Sequence, residues 1–200
     1  MNKKNSSFYL LLILFMPFLA SCSLDGTKRQ LALESVTAPY AAGAVNIQLI
    51  AEPGLNAWKG MSNSVAILVI QASNETYLEN ILSDKTELRA LFNGAATRDK
   101  PLKIDRYMLM PGQQHTLHID RAESARQVAV VAGYYPFPGP GHITRFSVPV
   151  SAYKKQWWNN DWQAKLTPLR VAITMGNSSI VQISGAENLH VNLSHTQENN

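Results

Sequence analysis

Residues 44–72 read AVNIQLIAEPGLNAWKGMSNSVAILVIQA, and the two ends of this stretch carry different patterns. In Ala44 to Glu52, Val45, Ile47 and Leu49 alternate with Asn46 and Gln48. Side chains alternate across a strand, so one face is buried and the other is wet. In Ser64 to Ala72, the run Val65 to Ile70 is unbroken and apolar, as in a strand covered on both faces. Between them lie the eleven residues Pro53 to Asn63, where a hairpin loop needs only about 2–5.

Downstream the period changes. Leu78, Ile81 and Leu82, then Leu88, Leu91 and Phe92, fit helical spacing, and Asp84 with Glu87 three later resembles a capping box. This predicts one or two short helices ending near Asn93-Gly94. Strands then return. Lys103 to Met110 and Gln114 to Ile119 flank Pro111-Gly112, a natural centre for a type II turn. Arg126 to Tyr135 contains a second doubly covered run, Val128 to Ala132. His142 to Val150 alternates, but Pro149 marks an edge. Leu169 to Met175 and Ser179 to Ser184 flank the turn Gly176-Asn177. Leu189, Val191 and Leu193 mark a last strand. About eight or nine strands with a short helical insertion argue for a mainly β protein, a β-sandwich.

Ahead of the sandwich, Lys3 and Lys4 precede an apolar stretch from Phe8 to Phe18, then Leu19-Ala20-Ser21-Cys22. A positive start, a short apolar core and small residues before a cut site make an export signal. The apolar stretch is too short to span a bilayer, which takes about 20 residues. Cys22 is the only cysteine in the chain. An unpaired thiol in an oxidising compartment is a liability, whereas Leu-Ala-Ser-Cys resembles a bacterial lipobox, in which the thiol is acylated. The expected organisation is a lipoprotein signal peptide (1–21), a lipidated N-terminus and tether (22–43), a sandwich domain (44–195) and a polar tail (196–200). Two or more acyl chains, palmitate among them, hold a protein firmly at a membrane. Ser23 stands where an Asp would retain a lipoprotein at the inner membrane, so the outer membrane is expected.

The net charge of +4 includes Lys3 and Lys4. Without the signal the chain has 16 basic and 14 acidic side chains and no dense basic patch, so nucleic acid is not an expected partner. Catalytic motifs are missing from the sequence: no G-x-S-x-G elbow, no phosphate-binding glycine loop, no H-E-x-x-H. His115 and His118 fall on opposite faces of their strand, and His142, His190 and His195 lack ligand-like spacing. All five are expected at the surface or rim. No enzyme activity, metal or cofactor is expected, apart from the covalent lipid on Cys22.

Two aromatic features remain. The long loop presents Leu55, Trp58 and Met61 where the backbone should be exposed, and Trp is a typical interface anchor. Trp58 either meets a partner or folds back to cap the sandwich, with the partner reading ahead. The second feature is Tyr153 to Trp162, where Trp157, Trp158 and Trp162 stand beside Lys154 and Lys155. These side chains stack on sugars, rest at a lipid interface, bind a partner or close an end of the core, and core closure is favoured.

The order of these features resembles a known family. It runs from the lipobox through Leu55-Asn56, the strand ending in Gln71 and the helical end Leu91-Phe92. It continues through Met110-Pro111-Gly112-Gln113 to Val128-Ala129-Val130-Val131-Ala132-Gly133-Tyr134-Tyr135. This is similar to the type VI secretion lipoproteins called TssJ, VasD or SciN. The resemblance implies a transthyretin-like β-sandwich with added helices, lipid-anchored on the periplasmic face of the outer membrane. It implies the periplasmic region of TssM as partner, with TssL reached indirectly. It also implies that the loop carrying Leu55, Asn56, Ala57, Trp58, Lys59, Gly60 and Met61 binds TssM. Trp157, Trp158 and Trp162 lie outside the family pattern and are candidates for a second contact. The alternative to this assembly role is a periplasmic lipoprotein that binds glycan or a small ligand through those tryptophans.

Overall fold

The computed structural model describes residues 21–95, 102–139, 141–155 and 161–185, with side chains from Asp25 onward. The chain divides into two compact units, one joining the N-terminal residues to Val150–Leu166, the other built from the rest.

The larger unit is the sandwich. Its first sheet is centred on β1 (Ala41–Ala51), which pairs antiparallel with β4 (Gln114–Arg121) and parallel with β9 (Leu169–Met175). Strand β10 (Ile180–Ser184) completes the order β10-β9-β1-β4. The alternation in β1 does what its sequence predicts. Val45, Ile47 and Leu49 are buried while Asn46 and Gln48 are not, and the neighbours repeat the rule, with Ile47 between Leu117 and Val171. The second sheet runs β3-β2-β5-β6, from β2 (Val65–Ala72), β3 (Lys103–Leu109), β5 (Gln127–Ala132) and β6 (Ile143–Ser147). The edge expected beside Pro149 is β6, the outermost strand of this sheet.

The apolar runs in β2 and β5 are explained by the helical insertion, α2 (Glu75–Ser83) and α3 (Lys85–Phe92). Leu68, Ile70, Ala129 and Val131 form one buried cluster with Leu78, Ile81, Leu82, Leu88 and Leu91 of the two helices. The opposite faces of these strands, with Ile67, Val69, Val128 and Val130, are buried too. The helices have caps of their own. Asn74 Oδ1 accepts from the Tyr77 N–H, and Asp84 Oδ1 accepts from the Thr86 and Glu87 N–H groups. An Arg145–Glu79 ion pair ties α2 to β6, and Arg106 Nε donates to the Leu91 carbonyl at 3.0 Å.

Gln71 is the polar group the core could least tolerate unpaired, since it is fully buried. Its Nε2 donates to the Asp120 carbonyl and its Oε1 accepts from the Ala122 N–H, both at 2.9 Å. One side chain of the second sheet thus closes the end of β4 in the first.

The smaller unit departs from expectation. Residues 22–43, read above as a tether, hold the helix α1 (Ser21–Glu34) and the first turns of chain into β1. The stretch 28–34, KRQLALE, is made largely of strong helix formers, and its weak apolar spacing hid the helix. Helix α1 packs on a hairpin of β7 (Val150–Lys154) and β8 (Trp162–Leu166). That hairpin, counted above within the sandwich domain, is a separate two-stranded sheet. The expected last strand at 189–193 lies outside the described residues. Among the described residues, no helix is long and apolar enough to cross a membrane.

Candidate partner-binding loop

One end of the sandwich gathers four connections: residues 52–64, the turn 110–113, residues 133–142 and the turn 176–179. The first is the long loop singled out in the sequence, and the other three hold it. The Asn56 N–H donates to the Gly176 carbonyl at 3.4 Å, and the Ala57 N–H to the Asn177 carbonyl at 3.0 Å. The Gly112 N–H donates to the Glu52 carbonyl at 3.2 Å, from a residue whose φ of 73° suits the second centre of a type II turn.

Asn56 is the hub. Its Nδ2 donates to the Ser64 carbonyl at 2.8 Å, and its Oδ1 accepts from the Tyr135 N–H at 3.0 Å. Its own φ is 46°, the left-handed region that Asn tolerates better than most residues. Asn63 Nδ2 adds a bond to the Met61 carbonyl at 2.9 Å. Leu55 corrects the sequence reading. It is 0% exposed, so it is the apolar foot of the loop and not part of its contact surface. A loop of this length needs such a foot, because ordering it otherwise costs entropy without burial.

Beyond Ala57 the chain makes a miniature hairpin. Trp58 and Met61 exchange backbone hydrogen bonds at 2.8 and 3.0 Å around Lys59-Gly60. Both central residues have positive φ, 52° and 79°, as a type I′ turn requires. The result is a rigid display of side chains. Trp58 is 47% exposed and Met61 66%. The Trp58 ring meets Tyr135 edge-on, with centroids 4.5 Å apart and planes at 77°, and Tyr135 is itself 60% exposed. So Trp58 neither folds back to cap the core nor stands alone. It forms an apolar patch with Met61 and Tyr135, with Lys59 exposed beside it. Sequence reasoning does not single out Tyr135 as part of this patch. The signal was the aromatic and proline stretch Tyr134-Tyr135-Pro136-Phe137-Pro138.

The residues behind the patch are structural. Tyr134 is fully buried and its hydroxyl donates to the Ser179 carbonyl at 2.9 Å. Burial, with the Glu52 charge behind it, pushes that hydroxyl's pKa far up. His142 is buried, which corrects its expected rim position. Its Nδ1 accepts from the Gly139 N–H and its Nε2 donates to the Ser178 carbonyl, both at 3.0 Å. Burial lowers its pKa, and the Ser178 bond opposes this. Its two ring nitrogens therefore bond backbone and clamp two loops together. His115 and His118 are exposed, and His118 Nδ1 lies 2.6 Å from Asn46 Oδ1. Among the described residues, no cluster of three His, Cys, Asp or Glu side chains is arranged to hold a metal.

Residues 43–169 match the model of the family described as type VI secretion lipoprotein, VasD, EvfM, TssJ. The chain belongs to this family. The patch just described is therefore a surface of a type VI secretion lipoprotein. A comparison with curated proteins finds no match. Among solved structures, the chain is similar to Serratia marcescens Lip, a membrane-bound component of the type VI secretion system. That match has 18% identity and a TM-score of 0.48, covering 70% of this chain and 96% of the other. It is similar also to the lipoprotein TssJ1 of Pseudomonas aeruginosa, at 20% identity and a TM-score of 0.46, covering 74% and 98%. A structure described as the TssM C-terminal domain from EAEC matches at 14% identity and a TM-score of 0.48, covering 71% and 98%.

The remaining sequence candidates are placed as follows. Cys22 and Ser23 lie in α1, ahead of the described side chains. Trp157 and Trp158 lie outside the described residues. Trp162 is the first residue of β8 and is half-buried: its Nε1 donates to Asp25 Oδ1 at 2.8 Å, and Lys154 Nζ sits 5.0 Å from its ring. The Asp25 carboxylate is held below its ordinary pKa by that indole and by Lys154. A shallow groove of about 440 Å³ on the first sheet is lined by Asn46, Thr116, His118, Arg170 and Val171, and Trp162 is not part of it.

Proposed function

We propose that this type VI secretion lipoprotein is a non-catalytic assembly component that docks the periplasmic region of TssM, and through it TssL, to the outer membrane. Acylation of Cys22 supplies the anchor, with Ser23 permitting passage to the outer membrane, and the domain faces the periplasm. The Trp58–Met61–Tyr135 patch supplies the contact. The single observation that carries this reading is that a loop stapled by Asn56, Asn63 and a buried Leu55 still leaves Trp58 and Met61 open to solvent. Folding normally hides a Trp and a Met where it can, and a cluster of them left out marks a contact surface. The loop is already rigid, so binding costs little further ordering.

Two experiments test the two halves. Fractionation of cells carrying Cys22→Ser, with a high-salt wash that releases electrostatic contacts, separates anchor from domain: the variant is expected in the soluble fraction, and its retention in the outer membrane after the wash would refute the anchor. Co-isolation of TssM from envelopes carrying Met61→Asp reports the contact: the yield of TssM is expected to drop, and an unchanged yield would remove the loop from the interface.

A further inference from the structure

The smaller unit points to a second membrane contact, distinct from the acyl anchor. Over residues 22–37 and 150–166 the chain carries five Lys or Arg against three Asp or Glu. The rest of the chain after residue 21 is balanced, with eleven of each. All the net positive charge of the exported chain thus belongs to the unit that begins at Cys22.

Two of these cations meet at an aromatic centre. The Arg29 guanidinium lies 5.9 Å from the centroid of the Trp162 ring and Lys154 Nζ lies 5.0 Å from it. Asp25 is an internal brace: it pairs with Lys154 at 3.2 Å and accepts from the indole N–H. Lys28 and Arg29 are exposed on α1, the helix that carries Asp25. Helix geometry fixes their distance from the lipid. At about 1.5 Å per residue, Arg29 stands roughly 10 Å along α1 from Cys22, comparable to the screening length of about 8 Å at physiological salt. A lipid on Cys22 would hold these cations within electrostatic reach of the headgroups.

We infer that Lys28 and Arg29 of α1, with Arg29 over the Trp162 ring, form a docking surface for the anionic phospholipid leaflet into which the Cys22 lipid inserts. Charge complementarity selects the occupant, because cations within a screening length of an anionic leaflet are drawn to it. An indole with cations over its ring suits the water–lipid boundary. The surface would fix how the unit lies on the membrane, which an acyl chain alone does not do. The inference rests on the anchor reading for its orientation only.

The test uses the exported chain, residues 22–200, with Cys22→Ser so that no lipid is attached. It is sedimented with vesicles of phosphatidylethanolamine, with and without about a third phosphatidylglycerol. Binding to the anionic vesicles, weakened by added salt and reduced at least tenfold by Lys28→Glu with Arg29→Glu, is the expected result. Lys85→Glu in the sandwich is expected to leave binding unchanged, and circular dichroism checks that each variant is folded. Equal binding to both vesicle types, no binding, or full binding by the folded double variant would each overturn the inference. Failure of the anchor reading is seen separately, in the salt-washed cell fraction of Cys22→Ser.

Discussion

At the scale of single residues, Gln71 and His142 are buried side chains whose hydrogen bonds are met inside the sandwich, and two predictions follow from their partners. Gln71→Ala leaves the Asp120 carbonyl and the Ala122 N–H without their partner. Each buried unsatisfied group costs about 1–3 kcal/mol, so chemical denaturation should show the variant destabilised by at least about 2 kcal/mol. His142 gives a pH dependence whose sign is set by burial. Its folded pKa lies below the ordinary 6.5, so the unfolded chain takes up the proton first as pH falls. The stability contributed by neutral His142 is complete above about 6.5 and is lost as pH drops through the folded value. Melting temperature should therefore fall as pH drops below about 6.5, and His142→Asn should flatten that part of the profile while lowering stability throughout.

At the scale of elements, the helical insertion and the long loop do different work. α2 and α3 cover the outer face of β2 and β5, so Ile81→Ala or Leu88→Ala should cost about 2–5 kcal/mol in denaturant unfolding, as buried truncations do. The loop should separate stability from binding. Leu55→Ala attacks its foot and should destabilise the fold by a similar amount, whereas Met61→Ala, at an exposed position, should leave the melting temperature nearly unchanged. Much of this was legible beforehand. Val45, Ile47 and Leu49 announced a half-buried strand, and Val65 to Ile70 a strand with two covers, because burial writes period directly into sequence. Asp84 announced the start of α3 by its capping chemistry. Other features were hidden, the helix α1 and the burial of His142 among them. Leu55 could not be told from Met61, since both are apolar residues in one loop and only the tertiary fold decides which points inward. Tyr135 reached the patch through a bond to Asn56, 79 positions away in sequence. The hairpin β7–β8 has short strands with Ser, Gln and Lys in them, so neither alternation nor an apolar run marked it.

At the scale of the whole molecule, the chain divides its tasks between two units. The sandwich supplies a rigid frame whose loop end displays Trp58, Met61 and Tyr135. The smaller unit, which contains Cys22, carries the excess positive charge and on the proposal meets the lipid. This division predicts that loop variants spare membrane attachment and that Cys22→Ser spares binding to TssM in solution, both readable by fractionation and co-isolation. The central claim is that the exposed patch is the TssM contact. Isothermal titration calorimetry of residues 22–200 carrying Cys22→Ser against the periplasmic region of TssM from the same genome tests it most directly, comparing that protein with the same chain also carrying Trp58→Ala. A central anchor residue is worth about 2 kcal/mol or more, roughly thirtyfold in Kd. A loss of that size in Trp58→Ala, with the melting temperature unchanged, is the predicted result. Equal affinity of the two proteins for TssM would contradict the account.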